Sequence, residues 1–548
     1  MAAPGFTCPG FPVRLLQTLA LVLLAAVLCV PVLSVLASWA QWDAGTANIL
    51  SEMAATVLPE YALTTVILCV GVALGVVGVG TVTAMAVTLV DFPGRRQFEW
   101  LLLLPMAMPA YVVAYAYTDF FQFSGPFQTW LRASFGLQGR LLPEIRSTGG
   151  ATLIFIVVLY PYVYLLARAA LSERAAHLME AARLMGAPLS RRLRQVALPM
   201  IRPALVAGLA LALMEVLADY GVVTYFGIQT FTAGIYKAWL SMDNRVAAAQ
   251  LATMLLASVV LVLSLERHAR RRQRFASVRG RAGSNEAQAL PLSGSGVVLA
   301  WAVCGVPILL GFVLPVAFQL RALYAADWEM LPWTRYLAWG WNSVYLAGLT
   351  AALAVLLALG LAYVQRTRRD WASRGVVGLV SLGYAVPGAV VLVGLLLPVG
   401  WVQGRWPDAQ LGYWITATVL GLIWAYLVRF TAVAMQSVHS GYTRIAPSLD
   451  ESARMLGASG PRLLARVHWP LLKRSTAAAG LLVFVDVMKE LPVTVVLRPF
   501  NTDTLAVIAN QLARDERLGE AAVPALALVA VGLIPVMLLS RALRAKSG

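Results

Sequence analysis

The sequence predicts an all-α polytopic membrane protein of about twelve transmembrane helices, arranged as two parallel six-helix repeats. Three observations predict it. The chain has 548 residues, of which 60% are hydrophobic and 13% charged, against about 45–50% and about 25% in soluble domains. Apolar runs long enough to cross a bilayer as helix, about 20 residues, recur along its whole length. A set of polar positions also returns 271 residues further on, Glu180 as Glu451, Gly186 as Gly457 and Pro199 as Pro470.

Hydropathy and breaks place the first six spans near Leu15–Ala40, Tyr61–Val90, Trp100–Asp119, Ala151–Leu171, Ala204–Phe226 and Ala247–Leu265. The second six lie near Val297–Leu320, Ser343–Val364, Val376–Gly400, Leu411–Phe430, Ser475–Leu497 and Ala521–Leu539. The first run is longer than the core of a signal peptide, about 7–15 residues, and reads as a retained span. Cys8, Cys29, Cys69 and Cys304 show no paired spacing, so neither a disulfide framework nor a cysteine metal site is expected.

The formal net charge of +17 does not point to nucleic acid, because the basic residues fall in short clusters between apolar runs. Such clusters fix orientation, since the side richer in Arg and Lys stays in the cytoplasm. With both termini cytoplasmic, the dense clusters share one side: Arg95–Arg96, Arg183 to Arg194, Arg267 to Arg281, Arg366 to Arg374, Arg454 to Arg466 and the tail from Arg541. The Arg267–Arg281 cluster, followed by Gly, Ser and Ala, reads as a flexible linker between a first half over 1–285 and a second over 286–548. Six spans per half is an even number, so both halves enter from the same side and the repeat is parallel.

The repeated stretches are "EAARLMGAPLSRRLRQVALP", near 180–199, and "ESARMLGASGPRLLARVHWP", near 451–470. In each, an acid and two small residues precede a glycine, and a proline follows before the next span. The glycine permits a backbone turn that other residues resist, and the proline suits the start of a helix. An ordinary loop accounts for the charge but not for one spacing kept twice. Spacing alone predicts two matching cytoplasmic docking elements.

Both stretches resemble the coupling loop of ABC-importer membrane subunits: Glu-Ala-Ala, three residues, Gly, about nine residues, an aliphatic residue, any residue, Leu-Pro. Glu180, Ala181, Ala182, Gly186, Val196, Leu198 and Pro199 fit it. Glu451, Ser452, Ala453 and Gly457 follow it with Ser for one Ala, and "VHWP" stands in place of "VALP". Further stretches starting at Tyr115 ("YAYTDFFQFSGPFQ"), Ala218 ("ADYGVVTYFGIQTFTAGIYKAW") and Lys489 ("KELPVTVVLRPFNTDTLA") are similar to the fused two-half permeases of ferric-iron ABC importers. The resemblance implies an inner-membrane permease whose coupling loops meet two ATP-binding cassette subunits in the cytoplasm. It also implies that an external binding protein delivers the ligand, ferric iron or another small ligand such as thiamine. The lysines, Lys237, Lys473, Lys489 and Lys546, never follow a glycine, so a phosphate-cradling P-loop is absent. No catalytic residue, no enzyme activity and no cofactor are expected in this chain; the lipid bilayer is a partner and nucleic acid is not.

Ionisable residues inside a membrane usually face a cavity or a partner. Glu215 and Asp219, four apart, fall on one helix face, and Asp486 and Glu490 repeat them. Asp219 stands ~15 residues into its span, ~22 Å along it. Carboxylates there suit a hard cation on a translocation path. The alternative is structural, with Lys489 pairing Asp486 and the other acids capping helix ends. His177, His268, His439 and His468 fall at the cytoplasmic side or its edge, so no permanent metal site is expected. Tyr115, Tyr117 and Tyr220 read as an interfacial aromatic belt, with ligand contact as the alternative. A secondary transporter of the major facilitator class also has twelve helices in two parallel halves, and "DFPGRR" at Asp91 faintly resembles it. That class gives no reason for twin coupling loops, and a structural or scaffold membrane protein would not need intramembrane acids at matched positions.

Overall fold

The computed structural model describes residues 11–40, 44–172, 176–271, 290–329, 331–368, 370–458 and 460–544. Most of the expected linker, and Cys8, lie outside them. The chain is helical nearly throughout; Val90–Asp91 pairs in parallel with Leu290–Pro291 as a two-residue ladder.

Among the described residues, ten helices are long and apolar enough to cross a membrane, and a bent pair, Arg95–Ala107 with Ala110–Phe135, would make eleven. This agrees with the expected count of about twelve, and two of the expected spans differ in detail. The third span is broken by 88°, because Pro109, which has no N–H to donate, starts a new helix at Ala110 after a 3₁₀ turn over Leu104–Ala107. The eleventh, Trp469–Met488, is a continuous helix of 20 residues but carries Lys473, Arg474 and Asp486. The break recurs in the second half, where a 3₁₀ turn Gly383–Ala385 and Pro387 precede the helix Gly388–Arg405.

The chain forms two compact units that cut across the sequence halves 1–285 and 286–548. One contains residues 1–42 and 340–504, the other 43–339 and 505–548. In the first unit, the N-terminal helix Phe11–Ala37 packs on Trp371–Ser381 and Gly388–Arg405, more than 330 residues away. The approach is backbone to backbone: a Cβ on Gly394 would meet the Pro31 carbonyl at 1.9 Å, so only glycine fits. Ser34 donates to the Gly394 carbonyl, Trp424 Nε1 donates to the Val27 carbonyl at 3.0 Å, and Arg368 donates to Thr18 at 3.0 Å. Val419–Tyr442 packs along Trp469–Met488 in the same unit.

In the second unit, Leu58–Leu89 and Leu198–Ala218 pack on the buried helix Thr148–Ala170, and Leu518–Arg544 packs on Leu314–Tyr324 and Leu104–Ala107. Thr148–Ala170 is started by Ser147, whose hydroxyl accepts the Gly150 N–H at 3.2 Å and so satisfies a donor the helix cannot pair. Glu99 anchors its far end, accepting from Arg168 at 2.7 Å, while Tyr164 donates to the Glu99 carbonyl at 2.8 Å.

Candidate functional site

Among the described residues, the two repeated stretches share the same helix, glycine turn and π-helical turn. The helices Ala176–Leu184 and Pro447–Met455 each end two residues before a glycine in the left-handed region, Gly186 at φ 76° and Gly457 at φ 81°. Gly186 N–H reaches the Arg183 carbonyl at 2.9 Å, and Ala187 N–H reaches Ala182 at 3.0 Å. Gly457 and Ala458 repeat this on Arg454 and Ala453, both at 2.9 Å. This is the glycine-closed helix end that satisfies otherwise unpaired carbonyls. A side chain at either glycine would meet nothing within 4 Å, so conformation, not space, selects glycine. Matched π-helical turns follow, Leu193–Ala197 and Leu464–His468, and Pro199 and Pro470 stand in the first turns of the next long helices.

Ala182 is buried, Ala453 half-buried, and Ala181, Glu451 and Ser452 are exposed. Glu180 lies on the helix backbone; its side chain is outside the described set. Sequence reasoning missed four residues of this surface. Leu184, Met185, Met455 and Leu456 are between 81% and 89% exposed, immediately before the two glycines. Burying a side chain of this kind stabilises by about 1.5–3 kcal/mol, so each pair is a knob without a hole. The signal was present: an apolar dipeptide before glycine in an otherwise polar segment, twice at the same spacing.

The four intramembrane acids do not form the expected helix faces. Leu198–Ala218 ends before Asp219, and Trp469–Met488 ends before Glu490, so neither acid shares a helix face with its partner four residues back. Each carboxylate turns to start the short helix that follows. Asp219 Oδ1 accepts the N–H groups of Val222 at 2.8 Å and Val223 at 3.3 Å. Glu490 accepts those of Val493 and Thr494, both at 3.1 Å, and the Thr494 hydroxyl at 2.6 Å. Both are anionic groups at helix N-termini, where free N–H groups point. Glu490 also accepts from Arg429 at 2.8 Å. Glu215 and Asp486 are half-buried. Glu215 and Asp219 belong to one compact unit, Asp486 and Glu490 to the other.

Two further expectations change. Tyr115 is fully buried, its ring centroid 4.6 Å from that of Tyr225 in an edge-to-face arrangement, and Tyr220 is buried with its ring centroid 4.2 Å from that of Tyr236. Tyr117 donates to the Leu310 carbonyl at 2.6 Å. An interfacial belt would face lipid headgroups; Tyr115 and Tyr220 are packed inside the second unit instead, while Tyr117 is half-buried. His468, expected at the cytoplasmic side or its edge, is buried in a hydrogen-bonded cluster with Asp450 and Tyr442. Among the described residues, no group of three or more His, Cys, Asp and Glu is arranged to hold a metal ion.

Apolar spans in quantity, with two matching polar elements each presenting an apolar knob, define a multi-pass membrane protein built to engage other subunits. The chain belongs to the family of binding-protein-dependent transport system inner membrane components, whose model matches residues 76–275 and again 353–547, one match containing each repeated loop. It is 24% identical to the Fe(3+)-transport system permease protein FbpB 2 of Haemophilus influenzae, over 96% of this chain and 97% of that one. It is 24% identical to the probable ABC transporter permease protein y4fN of Sinorhizobium fredii over 76% of this chain and 75% of that one. Against the sulfate transport system permease protein CysT of Escherichia coli it is 28% identical, over 34% of this chain and 67% of that one. Family membership sets aside the major facilitator alternative.

Proposed function

We propose that this chain forms the membrane path of an ATP-driven importer, with two permease halves fused, and that its ligand is ferric iron handed over by an external binding protein. The observation that carries the reading is the pair of exposed apolar knobs, Leu184–Met185 and Met455–Leu456, set at matched positions beside left-handed glycines. Each knob would enter a groove on an ATP-hydrolysing partner, one per half. ATP binding would draw the partners together and the loops with them, rocking the spans until the path opens outward, and hydrolysis would reset it. In this reading both termini and both loops are cytoplasmic, as the distribution of arginine supports.

The ligand assignment is supported by the ferric permease of Haemophilus influenzae, which matches almost end to end, whereas the sulfate permease matches only about a third of this chain. Of the two acids that cap short helices, Asp219 is the more available to a cation, because its carboxylate accepts the Val222 and Val223 N–H groups while that of Glu490 is held by Arg429. Vesicles holding this chain with its ATPase and binding protein test the reading. ATP-dependent uptake of labelled ferric ion is expected, with no uptake of thiamine; the reverse result would keep the class and replace the ligand. Replacing all four knob residues by Ser should abolish uptake while the chain still inserts.

A further inference from the structure

The two coupling helices are alike in shape, but at three matched positions they meet the spans through different chemistry. In the second half, Asp450, on Pro447–Met455, is buried. Its Oδ2 accepts from Arg366 Nε at 2.8 Å, and its Oδ1 accepts from His468 Nε2 at 3.1 Å. The Tyr442 hydroxyl lies 3.2 Å from the other ring nitrogen of His468. Arg366 also donates to the Ile445 carbonyl at 2.9 Å, and Tyr363 donates to the Gly460 carbonyl at 3.1 Å. One carboxylate therefore gathers the end of Trp333–Thr367, the end of Val419–Tyr442 and the turn that opens Trp469–Met488.

The corresponding positions of the first half, 271 residues earlier, hold Leu171, Met179 and Ala197 in place of Tyr442, Asp450 and His468. All three are buried. Arg192 is buried there too, but its Nε has no hydrogen-bond partner. Apolar packing is non-directional and lets surfaces slide, whereas a buried, satisfied polar network fixes one geometry.

We propose that the two loops transmit unequally, with Asp450 a positioning residue that clamps the second coupling helix to three spans while the first is held by compliant packing. This rests on the coupling-loop reading above. The test uses the assembled transporter in vesicles and measures ligand taken up per ATP hydrolysed. Asp450→Asn is expected to lower that ratio about fivefold or more while binding-protein-stimulated hydrolysis persists; Asp450→Glu should recover part of it, and Met179→Leu should leave it unchanged. Gly457→Asp separates the two ideas. If it leaves uptake intact, the coupling-loop reading fails. If it blocks uptake while Asp450→Asn keeps a normal ratio, only the clamp is overturned. Should Asp450→Asn fail to assemble, amide exchange on the unmodified chain decides: residues 447–455 are expected to exchange more slowly than 176–184, and equal protection overturns the clamp.

Discussion

Arg429 donates to Glu490 across 2.8 Å, and both side chains are buried. Removing one partner of a buried pair strands the other charge, at a cost of about 3–5 kcal/mol. Arg429→Met is therefore expected to lower the thermal midpoint sharply in detergent, and the double variant Arg429→Met with Glu490→Gln to recover most of the loss. A single variant with an unchanged midpoint would show that the pair does not hold this unit together.

Asp219 separates capping from charge. Asp219→Asn keeps an acceptor oxygen for the Val222 and Val223 N–H groups, whereas Asp219→Ala loses it, costing about 1 kcal/mol. If the carboxylate guides a cation, Asp219→Asn lowers uptake at unchanged stability. Normal uptake by that variant would take Asp219 off the path.

The left-handed glycines predict a graded series. Gly186→Ala and Gly457→Ala meet no steric obstacle and strain only φ, by about 1–2 kcal/mol, so uptake should persist in part. Gly186→Asp and Gly457→Asp add a charge beside the apolar knobs and should block uptake with normal membrane insertion. Both Asp variants transporting normally would remove these loops from the mechanism.

Asp450 predicts an acid dependence of stability. Burial by itself would raise its carboxyl, but the hydrogen bonds and charges of Arg366 and His468 outweigh burial and hold it below the usual carboxylate value. Tyr442 and Tyr363 also face it. A carboxyl held low in the folded state contributes stability that is full above its unfolded value, about 3.9, and is lost as pH falls through the folded value. The midpoint gap between the unmodified chain and Asp450→Asn should thus be present above about pH 4 and close below it. A gap that widens in acid would contradict the sign.

The chain alone is expected to hydrolyse no ATP, because none of its lysines follows a glycine. Hydrolysis by the purified, partner-free chain, surviving in Gly186→Asp, would overturn this.

The sequence by itself determined the class, most of the helical spans, the repeat and the matched glycine turns of the two loops, because these follow from local composition and from a spacing kept twice. It ran the third span unbroken through Pro109, where the structure bends the chain by 88°. Only the tertiary structure decided what the acids do. Glu490 meets Arg429 from 61 residues away, and a helix ending one residue before Asp219 is enough to turn that carboxylate from a face into a cap. Only the tertiary structure could show that the N-terminal helix packs against residues beyond 370, or that His468, Tyr442 and Arg366 converge on Asp450. Such pairings depend on which apolar surfaces fit, and hydropathy is the same for a helix whichever partner it meets.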